Sequence, residues 1–170
     1  GFCRKLTHYM IMEMILETYP SAIVVLINGD GTQLFRKEDE MKVGLSASSS
    51  QVGIVGSYIP PKNEPSEQIE ECIKEFPGRP TFITGFHCVG MSVTFINERI
   101  GNFDNVIYSH EHYMERPDVH YQLCRFLFNY TSWSPEGQKK IKKTKLYLSC
   151  HDLLQNCLDY EKQIDKIDTE

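Results

Sequence analysis

The segment from Thr81 to Phe95 constrains the fold of this chain more than any other stretch. It reads Thr-Phe-Ile-Thr-Gly-Phe-His-Cys-Val-Gly-Met-Ser-Val-Thr-Phe, so an apolar β-type run stops at a Thr-Gly step and resumes beyond a second glycine. Gly85 and Gly90 permit positive φ and close approach of the backbone, and hydroxyl side chains lie near both. This pattern is typical of a strand end that meets a phosphate.

A second informative segment runs from Tyr121 to Phe128. It places Gln122 and Arg125 in an otherwise apolar run that predicts a helix. A buried helix seldom carries an unpaired guanidinium, because burying an uncompensated charge is costly. Arg125 is therefore expected to have a partner, either a carboxylate such as that of Asp104 or Asp118 or the phosphate of a ligand.

Local patterns predict strands that alternate with helices. An aliphatic run at 22–27 ends in Asn-Gly-Asp-Gly, which predicts a buried strand followed by a turn. The charge run from Arg36 to Glu40 predicts only a solvated surface. Helical spacing or capping predicts helices at 6–15, 65–76 and 118–128 and from 151 onward. Further strands are predicted at 52–58, 81–84, 105–108 and 145–149.

This alternation predicts a single α/β domain whose mostly parallel sheet is flanked by helices. Ligands of such sheets bind at the carboxyl ends of the strands, where both informative segments are expected to lie. The length of 170 residues suits one domain. The abrupt beginning, Gly-Phe-Cys, predicts a fragment of a larger protein.

The composition limits the kinds of partner that the chain is expected to bind. The formal net charge of −5 gives no general basic field, so any binding of nucleic acid must be local. The six cysteines are scattered without a C-x-x-C pair, and no signal peptide or long apolar stretch occurs. These features predict reduced thiols, an intracellular location and no membrane partner.

The order of these elements resembles the second, C-terminal RecA-like domain of superfamily 2 helicases. The similarity covers nearly all of 1–170 and is carried by the helix after an Arg-Lys start, the Asn-Gly-Asp turn, the Thr-Gly…Gly-Met-Ser turn and the Gln…Arg helix. The Gln-Leu-Cys-Arg spelling resembles a divergent replication or transcription helicase, of the kind that large DNA viruses encode, more than the common DEAD-box form.

The resemblance implies a motor lobe that works with an N-terminal RecA-like lobe, which holds most of the contacts to ATP and Mg²⁺, and with DNA or RNA. Thr84 and Gly85 would contact the nucleic-acid backbone, while Gly90 and Ser92 would face the nucleotide. Gln122 would lie near the phosphates and Arg125 would be the arginine finger, whose planar fork suits the charge of phosphoryl transfer. Further contacts to nucleic acid are implied for Arg4, Thr7, His8, Gly29 and Thr32.

Departures from the family pattern are equally specific. Cys124 and Phe128 stand where common forms of the sixth motif carry a glycine and a second arginine, and Ser92 replaces an acidic or amide side chain. No GxxxxGK[ST] phosphate loop occurs in the chain, so it is expected not to hydrolyse ATP alone. A degenerate RecA-like scaffold or interaction domain is the main alternative, and a nucleotide-binding transferase is another.

One metal-like spacing also occurs. His110, His112, His120 and Cys124 have the donor types that bind Zn²⁺. Two of the histidines fall in a polar stretch and the cysteine falls in the apolar helix, so we expect no metal site.

Overall fold

The computed structural model describes residues 5–38, 53–85, 95, 100–108, 144–148 and 152–167. The chain forms two compact units, Gly1–Val89 and Gly90–Glu170. The expectation of one domain over 1–170 stays a prediction. In chain order the described elements are α1 (Lys5–Thr18), β1 (Ile23–Asn28), β2 (Gly31–Lys37), β3 (Ile54–Ile59), α2 (Pro65–Glu75) and β4 (Thr81–Thr84) in the first unit, then β5 (Asn105–Tyr108), β6 (Lys145–Leu148) and α3 (Asp152–Ile167) in the second.

The first unit is built on a four-stranded mixed sheet with the strand order β3-β2-β1-β4. β1 pairs with β4 in parallel, whereas β1 with β2 and β2 with β3 are antiparallel. The α/β class predicted from the sequence is thus confirmed. The prediction of a mostly parallel sheet is wrong for this sheet, because two of its three pairings are antiparallel.

The antiparallel pairings follow from the turn after β1. Asn28 pairs with Gly31, which leaves a loop of only Gly29 and Asp30. The Asn28 side-chain oxygen accepts a hydrogen bond from the Asp30 backbone N–H at 2.8 Å, and Gly31 has a φ of +111° that favours glycine. An Asn-Gly or Asp-Gly pair between strands is a strong hairpin signal. The sequence pattern predicted the turn after β1 but not the strand β2 that follows it.

β1 forms the centre of the core because both of its faces are covered. On one face, Val24 and Leu26 pack with Met12 and Leu16 of α1, and all four side chains are buried. On the other face lie Ile23, Val25 and Ile27, opposite Arg36, Leu34 and Thr32 of β2. Each fully buried aliphatic side chain stabilises the fold by roughly 1.5–3 kcal/mol.

Helix α2 covers the second face of the sheet. Its Gln68 side-chain oxygen accepts a hydrogen bond from the Thr32 hydroxyl at 2.9 Å, and the Arg36 guanidinium lies 5.3 Å from the centre of the Phe76 ring. Pro65 starts the helix at a position where a missing N–H costs nothing, and Gly78, with a φ of +76°, turns the chain toward β4. The predicted helix, opened by Pro65-Ser66 and closed by Pro77-Gly78, is confirmed.

The described part of the second unit contains the parallel pair β5 and β6 and the helix α3. The Lys145 N–H donates to the Asp104 carbonyl at 3.0 Å, and the Thr144 hydroxyl donates to the Phe103 carbonyl at 2.7 Å. These two hydrogen bonds join the two segments at the amino ends of β5 and β6. The strands predicted at 105–108 and 145–149 and the terminal helix are confirmed. Among the described residues, no helix has the length and apolar character needed to span a membrane.

Gly56 tests how tightly the edge strand β3 is packed. A Cβ atom at Gly56 would lie 2.6 Å from the Phe35 ring, which itself makes an edge contact with Tyr9. We expect Gly56→Ala to lower the free energy of unfolding by about 1–3 kcal/mol in urea denaturation, because the ring must shift. Gly53→Ala is the matched control, since its Cβ would meet its nearest neighbour at 3.9 Å. Equal stability of the two variants would contradict the packing.

Candidate functional site

The carboxyl ends of β1 and β4 lie side by side. The parallel register pairs Leu26 with Thr84, so the turn that starts at Asn28 and the Thr84–Gly85 step leave the same edge of the sheet. Open α/β sheets bind ligands at such an edge. The structure therefore brings together three predicted contact residues, Gly29, Thr84 and Gly85.

The amino-terminal half of α1 lies toward the same edge. Near the end of the helix, Tyr19 stacks on Phe82 at 5.4 Å between ring centres, close to where β4 begins. Near its start, the Tyr9 hydroxyl donates to the Gln33 side-chain oxygen at 3.0 Å, and Gln33 pairs with Leu26. The helix thus runs opposite to β1.

This direction also places Thr7 and His8, which precede Tyr9, at the candidate edge. Thr7 is exposed and His8 is buried. Both were predicted to contact nucleic acid. A ligand could contact the Thr7 side chain from solvent, whereas the His8 side chain is shielded by the fold.

Within the described part of the chain, two buried polar atoms at this end have no hydrogen-bond partner. They are His8 Nδ1 and Asn28 Nδ2. Asn28 follows Val24 and Leu26 on the face of the sheet that α1 covers, and the register puts Thr84 on that face too. An unsatisfied buried polar group costs about 1–3 kcal/mol, and such groups are rare in folded proteins.

Asn28 ends β1, and the direction of α1 places His8 toward the same end of the sheet, which makes this end a functional candidate. A buried polar atom without a partner calls for an explanation, and a bound ligand, ion or water is one that fits a site at the carboxyl ends of strands. Sequence reasoning did not include Asn28 among the contacts. Its signal was visible, because a buried aliphatic strand that ends in asparagine before Gly-Asp-Gly places an amide at a strand end.

Thr32 does not join this cluster. It pairs with Ile27 and lies on the α2 face of the sheet, where its buried hydroxyl donates to Gln68. Gln68 in turn donates to the Pro60 carbonyl at 2.8 Å and to the Ile59 carbonyl at 3.4 Å. The Thr32 side chain therefore takes part in a bridge that joins β2, β3 and α2.

The predicted nucleotide-side residues fall elsewhere in the chain. Arg4, Gly90, Ser92, Gln122 and Arg125 lie outside the described residues, and so do the three histidines and Cys124 of the zinc-like spacing. Their roles stay predictions. Across the described ranges, no group of three or more His, Cys, Asp or Glu side chains could hold a metal ion.

The buried thiol of Cys72 is chemically quiet. Burial in α2, reinforced by the nearby charge of Glu75, raises its pKa to about 11. Its Sγ also contacts the Gln68 carbonyl at 3.1 Å. Because the thiolate is the nucleophile, Cys72 acts as a packing residue at neutral pH.

Comparison with known proteins adds no relative. No family model matches the chain, and neither does any curated protein or any solved structure.

The Thr32 bridge can be separated from a ligand contact by mutation. We expect Thr32→Val to lower the free energy of unfolding by about 1–3 kcal/mol, because the buried Gln68 oxygen loses its donor. Thr7→Val, at an exposed position, is the matched control and should change stability by less than about 0.5 kcal/mol. Urea unfolding curves measure both, and an unchanged midpoint for Thr32→Val would contradict the bridge.

Proposed function

We propose that this chain is the C-terminal RecA-like motor lobe of an ATP-dependent nucleic-acid helicase or translocase. The main support for the proposal is the parallel pairing of β1 with β4. Each of these strands is followed by a glycine-containing loop, and the two loops begin at the same end of the sheet. A phosphate needs hydrogen-bond donors and close approach: the glycines allow close approach, and Thr84 offers a hydroxyl. The resemblance of the motif order to superfamily 2 helicases supplies the reaction class.

In this proposal the loops after β1 and β4 contact the phosphates of a nucleic-acid backbone. Gly29 is exposed, and a Cβ built there would have nothing within 4 Å, so the loop leaves room for a phosphate. Thr84 is half-buried on the α1 face and offers a hydroxyl at the end of β4. Backbone contacts of this kind position a strand without reading its bases.

The nucleotide side of the proposed site involves Gly90, Ser92, Gln122 and Arg125. The N-terminal RecA-like lobe would hold the ATP phosphates and Mg²⁺, and Arg125 would reach the γ-phosphate across the interface. A guanidinium in that role contributes roughly 10³–10⁵ in rate. The 170-residue chain by itself is expected to be inactive as an ATPase.

A degenerate scaffold is the second candidate. It is favoured by the Thr32 hydroxyl, which is committed to Gln68, and by Cys124 and Phe128 at the positions of the missing glycine and arginine. A scaffold would keep the fold without binding nucleic acid. The two functions therefore differ in measurable binding and turnover.

Placing a charge at Gly29 tests the nucleic-acid edge. We expect Gly29→Glu to weaken binding of a labelled single-stranded oligonucleotide by about fivefold at low salt, because one carboxylate near a phosphate is worth about 1 kcal/mol. Gly53→Glu is the matched control: it is also an exposed glycine, and it lies beside Glu38 at the opposite end of the sheet. Equal weakening by both variants, or no binding by the wild-type chain to DNA or RNA, would contradict the proposal.

Replacing Arg125 tests the motor role in the protein that joins both lobes. We expect Arg125→Lys to reduce kcat for ATP by at least about 100-fold with little change in ATP affinity, because a point charge lacks the bidentate fork. Arg79→Lys, whose guanidinium stacks on Phe76, is the arginine control and should leave turnover intact. A lowered melting temperature with full turnover in Arg125→Lys would instead assign that arginine a structural role.

A further inference from the structure

The buried side of α1 ends in a histidine. Among residues 6–18 of the helix, the buried ones are His8, Met12 and Leu16, which recur every four residues and so form one row. Met12 and Leu16 pack with Val24 and Leu26 of β1. The row that is apolar over the core therefore becomes polar at the amino end of the helix.

Asn28 ends the matching row of β1. It follows Leu26 on the same face of the strand, about 6.6 Å further along. His8 precedes Met12 by about 6 Å along the helix axis. Because α1 runs opposite to β1, the two steps go the same way, so His8 and Asn28 lie at one level beyond the apolar core. Helical side chains also lean toward the amino end, which carries the imidazole away from the apolar cluster.

Each of these two side chains has a nitrogen without a partner among the described residues. The atoms are His8 Nδ1 and Asn28 Nδ2, and both residues are 8% exposed. The orientation of the Asn28 amide is set by its oxygen, which accepts from the Asp30 backbone N–H at 2.8 Å. Nδ2 is therefore the free end and a donor. His8 Nδ1 donates in one of the two neutral tautomers and in the protonated ring.

The amino end of α1 adds a favourable field for an anion. The first backbone N–H groups of a helix have no partner within it and give that end a partial positive charge. Helix α1 is 14 residues long and has no acidic residue in its first turn, to which His8 belongs. Asp30 in the adjacent turn is exposed, so solvent screens its carboxylate. A helix amino end beside two nitrogen donors is suited to a ligand with several acceptor oxygens.

We propose that the space between the amino end of α1 and the end of β1 binds a phosphate group, with Asn28 Nδ2 and His8 Nδ1 donating to its oxygens. An ionised phosphate offers acceptors to a site made of donors, whereas a water would use only its lone pairs there. The group belongs to a nucleic-acid backbone or to a free phosphate ion, since both present the same oxygens. The site lies beside the loops proposed to contact nucleic acid but does not require the motor function.

Titration of the nitrogen-labelled 170-residue chain with inorganic phosphate, followed by proton–nitrogen correlation NMR, tests the site. At constant pH and ionic strength, with chloride as the reference anion, the side-chain amide signal of Asn28 should shift and saturate with a Kd of about 1 mM. No saturable shift up to about 50 mM phosphate overturns the proposal and assigns the two nitrogens to water.

A single-stranded oligonucleotide without terminal phosphates distinguishes the two sources. If it shifts the Asn28 amide signal and inorganic phosphate competes with it, the site holds a backbone phosphate. If inorganic phosphate alone shifts that signal, the site takes a free phosphate. Oligonucleotide binding that is weakened by Gly29→Glu, with phosphate binding at Asn28 retained, separates this site from the proposed nucleic-acid loops.

Asn28→Asp changes the site with little change in shape, because it keeps the oxygen that accepts from Asp30 and puts an anionic oxygen in place of Nδ2. We expect it to raise the Kd for phosphate at least about tenfold, measured on the backbone signal of Gly29. Asn63→Asp is the matched control and should change the Kd by less than about twofold. Asn63 is exposed in the loop between β3 and α2, and β3 lies two strands away from β1. Equal effects of the two variants overturn the proposal.

His8→Phe keeps the test valid if a buried carboxylate prevents Asn28→Asp from folding. It replaces the imidazole by a ring without nitrogen and should raise the Kd for phosphate at least about threefold, because one donor is lost. Circular dichroism melting checks that the variant folds. A histidine that only packs would change the melting temperature and leave phosphate binding intact, and that result in a folded His8→Phe overturns the proposal.

Discussion

The burial of β1 on both faces is the constraint on which the rest of the first unit depends. An aliphatic strand with no polar alternation can be stable only between two layers, and here α1 and α2 supply them. Its two neighbours in the sheet, β2 and β4, then take opposite directions. The short turn after Asn28 forces β2 to return antiparallel to β1. In the chain, α2 connects β3 to β4, and this long connection allows β4 to run parallel to β1.

This arrangement explains why the candidate site lies at one end of the sheet. Parallel neighbours end at the same edge, so the loops after β1 and β4 meet there. The hydrogen bond from Tyr9 to Gln33 and the stacking of Tyr19 on Phe82 fix the direction of α1. This direction places Thr7 and His8 at the same end of the sheet as the two loops. His8 Nδ1 and Asn28 Nδ2 have no partner among the residues with described positions, and the apolar packing around β1 offsets the cost of burying them.

The two sides of the sheet have different tasks. On the α2 side the side-chain hydrogen bonds of Gln68 join α2 to β2 and to the end of β3, and Thr32 is part of that bridge. On the α1 side lie Asn28, whose Nδ2 has no partner among the described residues, and Thr84, both of which we propose as ligand contacts. The alternation of side chains along a strand separates the two tasks: Thr32 and Gln33 are consecutive in β2, yet Thr32 bonds Gln68 of α2 and Gln33 bonds Tyr9 of α1 on the opposite face.

The sequence by itself determined the features that depend on near neighbours. The aliphatic run of β1, the Asn-Gly-Asp-Gly turn and the Pro-Gly end of α2 could be predicted because strand period, turn chemistry and proline geometry act over a few residues. Tertiary structure alone decided that β4 runs parallel to β1, that Thr32 faces Gln68, and that His8 Nδ1 and Asn28 Nδ2 are buried without a partner among the described residues. Those outcomes rest on contacts such as Thr32 with Gln68 and Leu26 with Thr84, which join residues far apart in the chain and whose energy appears only when the core closes.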